Sequence, residues 1–190
     1  MNFLFRKTMN KTFVNILIFF LVYGVSPAGA GEDVRSVEGK KVFPVEIRDV
    51  HNNPVMMPRL GDVNLLIFYV DPDHYKQNRK FIDYLTAHSI LCDSIDSYGI
   101  VNLKDAPLLP SRIVRSIIRR KRQATGGTIY TDPNHAVRDA WELGDVNNKF
   151  ILIFINRNRI IEFYRYGEFT EQDKQDFFRV VDRHRTPDAD

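Results

Sequence analysis

The sequence of 190 residues contains one cysteine, Cys92. A lone thiol closes no internal disulfide and supplies no zinc centre of the Cys₂ or Cys₄ kind. Nor can it pass a disulfide to a second sulfur of the same chain, so dithiol exchange is excluded. Proline is absent between Pro133 and Pro187, and tryptophan occurs once, at Trp141. No internal repeat or low-complexity tract is present. A charge excess is missing too, once the first thirty residues are set aside. Arg6, Lys7 and Lys11 account for the whole formal charge of +3, and no acid accompanies them. The remainder is balanced, so a general affinity for nucleic acid is not expected.

The N-terminus is built differently from the rest. The basic start is followed by an apolar run, Phe13 to Val25, and then by Ser26, Pro27 and Ala28-Gly29-Ala30. Basic, apolar and A-x-A in that order is a secretory signal pattern. The other reading is a retained membrane anchor, but the run is shorter than the ~20 apolar residues that a spanning helix needs. Residues 1–30 are therefore expected to be a signal peptide cleaved near Ala30, with the mature chain periplasmic or otherwise extracytoplasmic. Residues 31–41 are polar and read as a flexible leader.

The remaining chain carries enough apolar residues for one domain over 42–184, with a tail at 185–190. Val42 to Val50 reads as an edge strand, and Val55 to Met57 as a short return after the His51-Asn52-Asn53-Pro54 turn. Asn64 to Val70 (NLLIFYV) is a continuous apolar run, as in a strand buried on both faces. Asp71-Pro72-Asp73 stops it. Tyr75 to His88 has Phe81, Ile82, Tyr84 and Leu85 at helical spacing, with Asp73 as the expected N-cap. A strand is expected over Ser97 to Leu103, a helix from Ser111 to about Arg122, and a strand over Thr128 to Tyr130. A short helix over His135 to Leu143 is expected to end at Gly144. Lys149 to Asn156 reads as a second buried strand, turning at Arg157-Asn158, where Asn tolerates the positive φ that such turns need, into a partner over Arg159 to Tyr166. Thr170 and Asp173 predict a capped final helix reaching about His184. This alternation implies an α/β layered domain with a mixed sheet.

The closing strand–strand–helix unit, the Leu65 to Tyr69 strand and the Thr131-Asp132-Pro133-Asn134 segment followed by Ala140-Trp141 resemble thioredoxin-like proteins. Within that superfamily the chain is similar to the YtfJ family of secreted bacterial proteins. That likeness is carried by Ile100-Val101-Asn102, Val114-Arg115-Ser116, Thr131-Asp132 and Ala140-Trp141-Glu142-Leu143. The resemblance implies a three-layer thioredoxin-like fold, a mixed central sheet with helices on both faces. It also puts Asp71 to Gln77 in the place of the active-site loop. The CxxC pair of thioredoxin chemistry is replaced here by residues near His74-Tyr75-Lys76-Gln77, and the superfamily's cis-proline by about Lys149.

Four features carry candidate chemistry. His74, between Asp71 and Asp73 and near an expected helix start, could act as a base or hold a metal, where the ordinary reading is a capped surface loop. Cys92 could serve a one-cysteine peroxidase, but it follows a helix end beside Asp93, an anionic setting that disfavours the thiolate. Arg112, Arg115, Arg119 and Arg122 share a stripe opposite Ile113, Val114, Ile117 and Ile118. Such a basic amphipathic helix suits an anionic lipid surface or an acidic partner, or simply packs its apolar side on the core. Trp141 and the Phe163-Tyr164-Arg165-Tyr166 stretch are expected in the core and in hairpin pairing. No cofactor or metal is expected. The functional expectation is a non-catalytic binding or scaffold protein of the cell envelope, with Arg112, Arg115, Arg119, Arg122 and Lys149 as binding residues. The alternatives are an enzyme at Asp71–His74 or a peroxidase at Cys92.

Overall fold

A computed structural model describes residues 37–88, 90–105, 113, 115, 116, 118 and 128–185. The expected signal peptide and the C-terminal residues 186–190 lie outside the described residues. Among the described residues, seven strands form one sheet in the order β2-β1-β5-β4-β3-β6-β7. The strands are β1 (Glu46–Arg48), β2 (Pro54–Met56), β3 (Asn64–Val70), β4 (Ile95–Asn102), β5 (Ile129–Asp132), β6 (Phe150–Ile155) and β7 (Ile161–Tyr166). Among the described residues, the helices with defined bounds are α1 (Arg79–Ala87), α2 (Ala136–Trp141) and α3 (Glu171–His184). Ile113, Arg115, Ser116 and Ile118 are also helical, the rest of the expected helix from Ser111 to about Arg122 lying outside the described residues. No helix among the described residues is long and apolar enough to cross a membrane.

The sheet is mixed. β3, β4 and β5 run parallel, while β6 lies antiparallel to β3 and β7 antiparallel to β6. Every residue of β3 and β6 is buried, as two apolar runs without alternation require when both faces are covered. On one face Leu66, Phe68, Phe150, Leu152 and Phe154 pack with Phe81, Ile82 and Leu85 of α1 and Phe177, Val180 and Val181 of α3. Edge-to-face rings tie these layers together, with Phe177 5.6 Å from Phe81 and 5.4 Å from Phe163. On the other face Leu65, Ile67 and Tyr69 pack with Val137 and Trp141 of α2 and with Val37, Val42 and Val45. Trp141 is thus core, and its Nε1 donates to the Phe43 carbonyl at 3.0 Å. α3 starts at the expected capping box, in which Thr170 and Asp173 each accept from the other's backbone N–H.

Several local expectations are corrected. β1 is not an edge strand. It lies between β2 and β5, because Asp49 accepts the N–H groups of His51 and Asn53 and turns the chain back. The edge falls to β2, where Pro54 has no N–H to waste. Residues 37–41 of the expected leader are fixed against β7. Val37 is buried, Gly39 N–H donates to Ile161 O, and Lys41 bridges to Ile160. The first helix starts at Arg79, and Pro72–His74 forms a separate 3₁₀ turn capped by Asp71 rather than Asp73. α2 closes on Glu142 in the left-handed region, before Gly144. In the β6–β7 turn the positive φ falls on Arg159, at 65°, rather than on Asn158. Asn156 imposes this, since its Oδ1 accepts from both Asn158 and Ile160.

Candidate functional site

The C-terminal ends of β3, β4 and β5 and the approach to β6 meet at one end of the sheet. Asp71 follows β3 directly and is fully buried. Its Oδ1 accepts Asp73 N–H at 2.9 Å and its Oδ2 accepts Asn148 N–H at 3.0 Å. Its own N–H donates to Lys149 O at 3.0 Å. Burial pushes the Asp71 carboxyl up, and the two amide hydrogen bonds only partly offset this, so it titrates above the usual Asp range. The carboxylate is a staple between two chain segments, closed to solvent.

The loop after Asp71 is sewn down further along. Gln77 Oε1 accepts Phe150 N–H at 3.0 Å. Asn78, in the left-handed region, donates to Gly167 O and accepts from Phe169 N–H, both at 2.7 Å. His74 is half-buried, and its Nδ1 is enclosed without a hydrogen-bond partner. Because His74 belongs to the 3₁₀ turn and α1 begins only at Arg79, the expected field of a helix N-terminus does not act on it. Asp73 is exposed. The Lys149 backbone occupies the expected place beside Asp71, but its ammonium is held by Asp145 Oδ2 at 3.1 Å and lies 4.5 Å from the Tyr166 ring centroid. Asp71, Asp73, His74 and Lys149 are therefore neighbours along the backbone, with one acid closed off and the lysine engaged.

The same end of the sheet holds polar groups that were not among the candidate chemistry. Asp132, at the end of β5, is fully buried and accepts from Ala136 and Val137 N–H and from the Tyr69 hydroxyl at 3.1 Å. Burial first, and then the Asp132 charge, push the Tyr69 hydroxyl far up. His135 Nε2 lies 2.7 Å from Asp105 Oδ2, and Asn102 Nδ2 donates to the same oxygen at 2.8 Å. Asp105 and His135 stand far apart in sequence with no motif spacing, and only the parallel β4–β5 pair brings them together. Their one local signal was Asp132-Pro133-Asn134, which reads as a turn.

Cys92 lies at the other end. It precedes β4 in a tight turn with Ile95, and Ile95 is paired with Asn64 at the start of β3. The seven-residue β3 sets it roughly 20 Å from the Asp71 loop. Its Sγ is half-buried, 3.1 Å from Ser94 Oγ. Of the basic stripe, Arg112, Arg119 and Arg122 lie outside the described residues. Arg115 is helical and half-buried, and Ile118 packs with Val50, Leu103 and Ile129. Ile113, expected on the packed side, is 44% exposed. Among the described residues, no three His, Cys, Asp or Glu side chains are grouped so as to hold a metal ion.

No protein-family model matches the sequence, and no curated protein matches it. Solved structures do match. A protein assigned as a thioredoxin from Neisseria meningitidis superposes with a TM-score of 0.53 at 18% identity, covering 80% of this chain and 95% of that one. The exposed lipoprotein thioredoxin of Streptococcus pneumoniae gives 0.52 at 9% identity, covering 74% and 99%. A peroxiredoxin-like protein from Aquifex aeolicus gives 0.50 at 11% identity, covering 76% and 86%.

The fold is thioredoxin-like. At these identities the likeness is one of architecture, and it agrees with the mixed sheet and the helices on both faces. In this thioredoxin-like frame the Asp71–Asn78 loop leaves the C-terminal end of a central strand and leans on the start of β6. The single thiol sits at the opposite end.

Proposed function

We propose that this chain is an exported, thioredoxin-fold binding protein of the cell envelope, similar to the YtfJ family, that makes contacts through the Asp71–Asn78 loop and carries out no dithiol exchange. One observation carries this reading. The loop that would hold a reactive pair instead holds a buried carboxylate bonded to Asp73 and Asn148, while the chain's one thiol lies a strand's length away. A carboxylate closed to solvent positions backbone and does not meet substrate. What the loop offers outward is Asp73, Lys76 and the open edge of His74. Export is supported by the basic–apolar–A-x-A order of residues 6–30.

The test has three readouts. The purified chain, assayed for reduction of insulin disulfides with a thiol donor, is expected to match the uncatalysed rate. Mass spectrometry of chain recovered from the envelope fraction is expected to give an N-terminus at Gly31. A photo-crosslinker at position 76 is expected to trap a discrete envelope protein that is lost in Asp73→Lys. Insulin reduction that disappears in Cys92→Ser would overturn the non-redox reading.

A second reading, an enzyme built on His74, draws on its enclosed, unpartnered Nδ1. It requires that His74→Ala abolish turnover or ligand binding while leaving the fold intact, and an unchanged variant ends it.

A further inference from the structure

At the end of the sheet away from the Asp71 loop lies an open groove of about 340 Å³. It is lined by polar and cationic groups, among them Ser94, Arg157, Asn158, Arg183, His184 and Arg185, and by no carboxylate. We propose that this groove is a binding site for a phosphate-type oxyanion, held between the guanidinium groups of Arg157 and Arg185.

The groove is preorganised from below. Asn64 is buried at the start of β3. It accepts Arg157 N–H at 3.1 Å and donates to Ser94 O at 2.9 Å. Ser94 Oγ donates to His184 O at 2.8 Å, which fixes the end of α3 over the strand. Asn156 organises the β6–β7 turn and so sets where Arg157 and Asn158 stand. Three elements are thus locked around the groove by buried amide and hydroxyl groups.

Among the described residues, its charge is only partly neutralised. Among the described residues, Glu162 is the acid paired with the groove's lining, and it is engaged by His184 at 2.7 Å, by Arg183 at 3.3 Å and by the Asn156 side-chain amide. Among the described residues, Arg157 and Arg185 have no carboxylate partner. Cations at the end of α3 complement the helix carbonyls, which accounts for Arg183 and Arg185 on ordinary grounds. It does not account for Arg157, which comes from the β6–β7 turn. Two arginines from separate elements that line one groove, neither with a carboxylate partner among the described residues, suit an anion with several equivalent oxygens, a phosphate monoester or a phospholipid headgroup. The lining is polar and small, which suits a charged group better than an apolar ligand.

The experiment is an amide-resolved NMR titration of the full mature chain with millimolar inorganic phosphate, in parallel with sedimentation on phosphatidylcholine vesicles containing phosphatidic acid. Wild type is compared with Arg157→Ala, Arg185→Ala and Arg179→Ala. Arg179 lies on α3 and is ion-paired to Asp176. Phosphate is expected to shift amides at positions 94, 157, 158 and 183–185. Its apparent affinity should fall about tenfold in Arg157→Ala and Arg185→Ala and hold in Arg179→Ala. All four proteins are exposed-site variants or wild type, and unshifted amides elsewhere verify the fold. Phosphate binding without vesicle binding assigns a soluble phosphorylated ligand. Vesicle binding that phosphate competes away assigns a lipid headgroup. Absence of shifts in the groove, or binding undiminished in Arg157→Ala, overturns the proposal.

Discussion

Asp71 Oδ2 accepts the amide hydrogen of Asn148 at 3.0 Å, and this bond joins the loop after β3 to the residues that lead into β6. In this thioredoxin-like fold, the two segments facing each other are held by a carboxylate and two amides.

Asp71→Ala strands the N–H groups of Asp73 and Asn148 in a buried setting. The expected loss is about 2–4 kcal/mol, read by urea denaturation. Asp71→Asn keeps one acceptor and should lose less. The pH course has a definite sign. Because the folded Asp71 titrates above the ordinary range, its contribution is greatest below that range and declines as pH rises through the folded value. The stability gap between wild type and Asp71→Asn should therefore narrow as pH rises from acid toward neutral.

Asp173 behaves oppositely. Burial pushes its carboxyl up, but the bonds from Thr170 and Arg165 outweigh this and hold it below the usual range. Its contribution is present above the ordinary Asp value and is lost as pH falls through the folded value. Thermal midpoints should drop on acidification in wild type and drop less in Asp173→Asn. Thr170→Ala, which removes the cap hydroxyl, should cost about 1 kcal/mol at neutral pH.

His74→Leu separates stability from contact. It removes a buried nitrogen that lacks a partner, so the fold should be unharmed or gain up to about 1 kcal/mol. Crosslinking at position 76 should nevertheless fall, since the loop's outward chemistry changes. A variant that loses stability by more than that would show His74 to be bonded in solution.

Trp141 reports on the core. It is the one tryptophan, almost wholly buried, so its emission should be blue-shifted in the native chain and move red on unfolding. Trp141→Phe leaves the Phe43 carbonyl without its donor and should cost about 1–3 kcal/mol in chemical denaturation.

Much of this architecture is legible in the amino-acid sequence. NLLIFYV and FILIFI announce themselves as strands covered on both faces, because nothing polar interrupts them. Thr170 and Asp173 mark the start of α3 by a purely local bond. The failures share a cause. The delayed start of α1 depends on Asn78 bonding to Gly167 and Phe169, contacts made by the far end of the chain. The positive φ at Arg159 follows from Asn156 capturing two amides, where residue type alone favoured Asn158. The Asp105–His135 contact exists only once β4 and β5 lie side by side. Local chemistry was legible; partners recruited through the fold were not.

The segment before β1 bears on how this molecule meets other copies of itself. Lys40 O and Gly39 N–H pair with Ile161, Val42 N–H with Arg159 O, and Glu38 Oε1 takes the Tyr164 N–H. The outer rim of β7 is thereby occupied from within, and the opposite rim begins with a proline. A sheet finished in this way offers little backbone for a stranger's strand to zip onto, so crowding should leave the chain resistant to ribbon-like self-association.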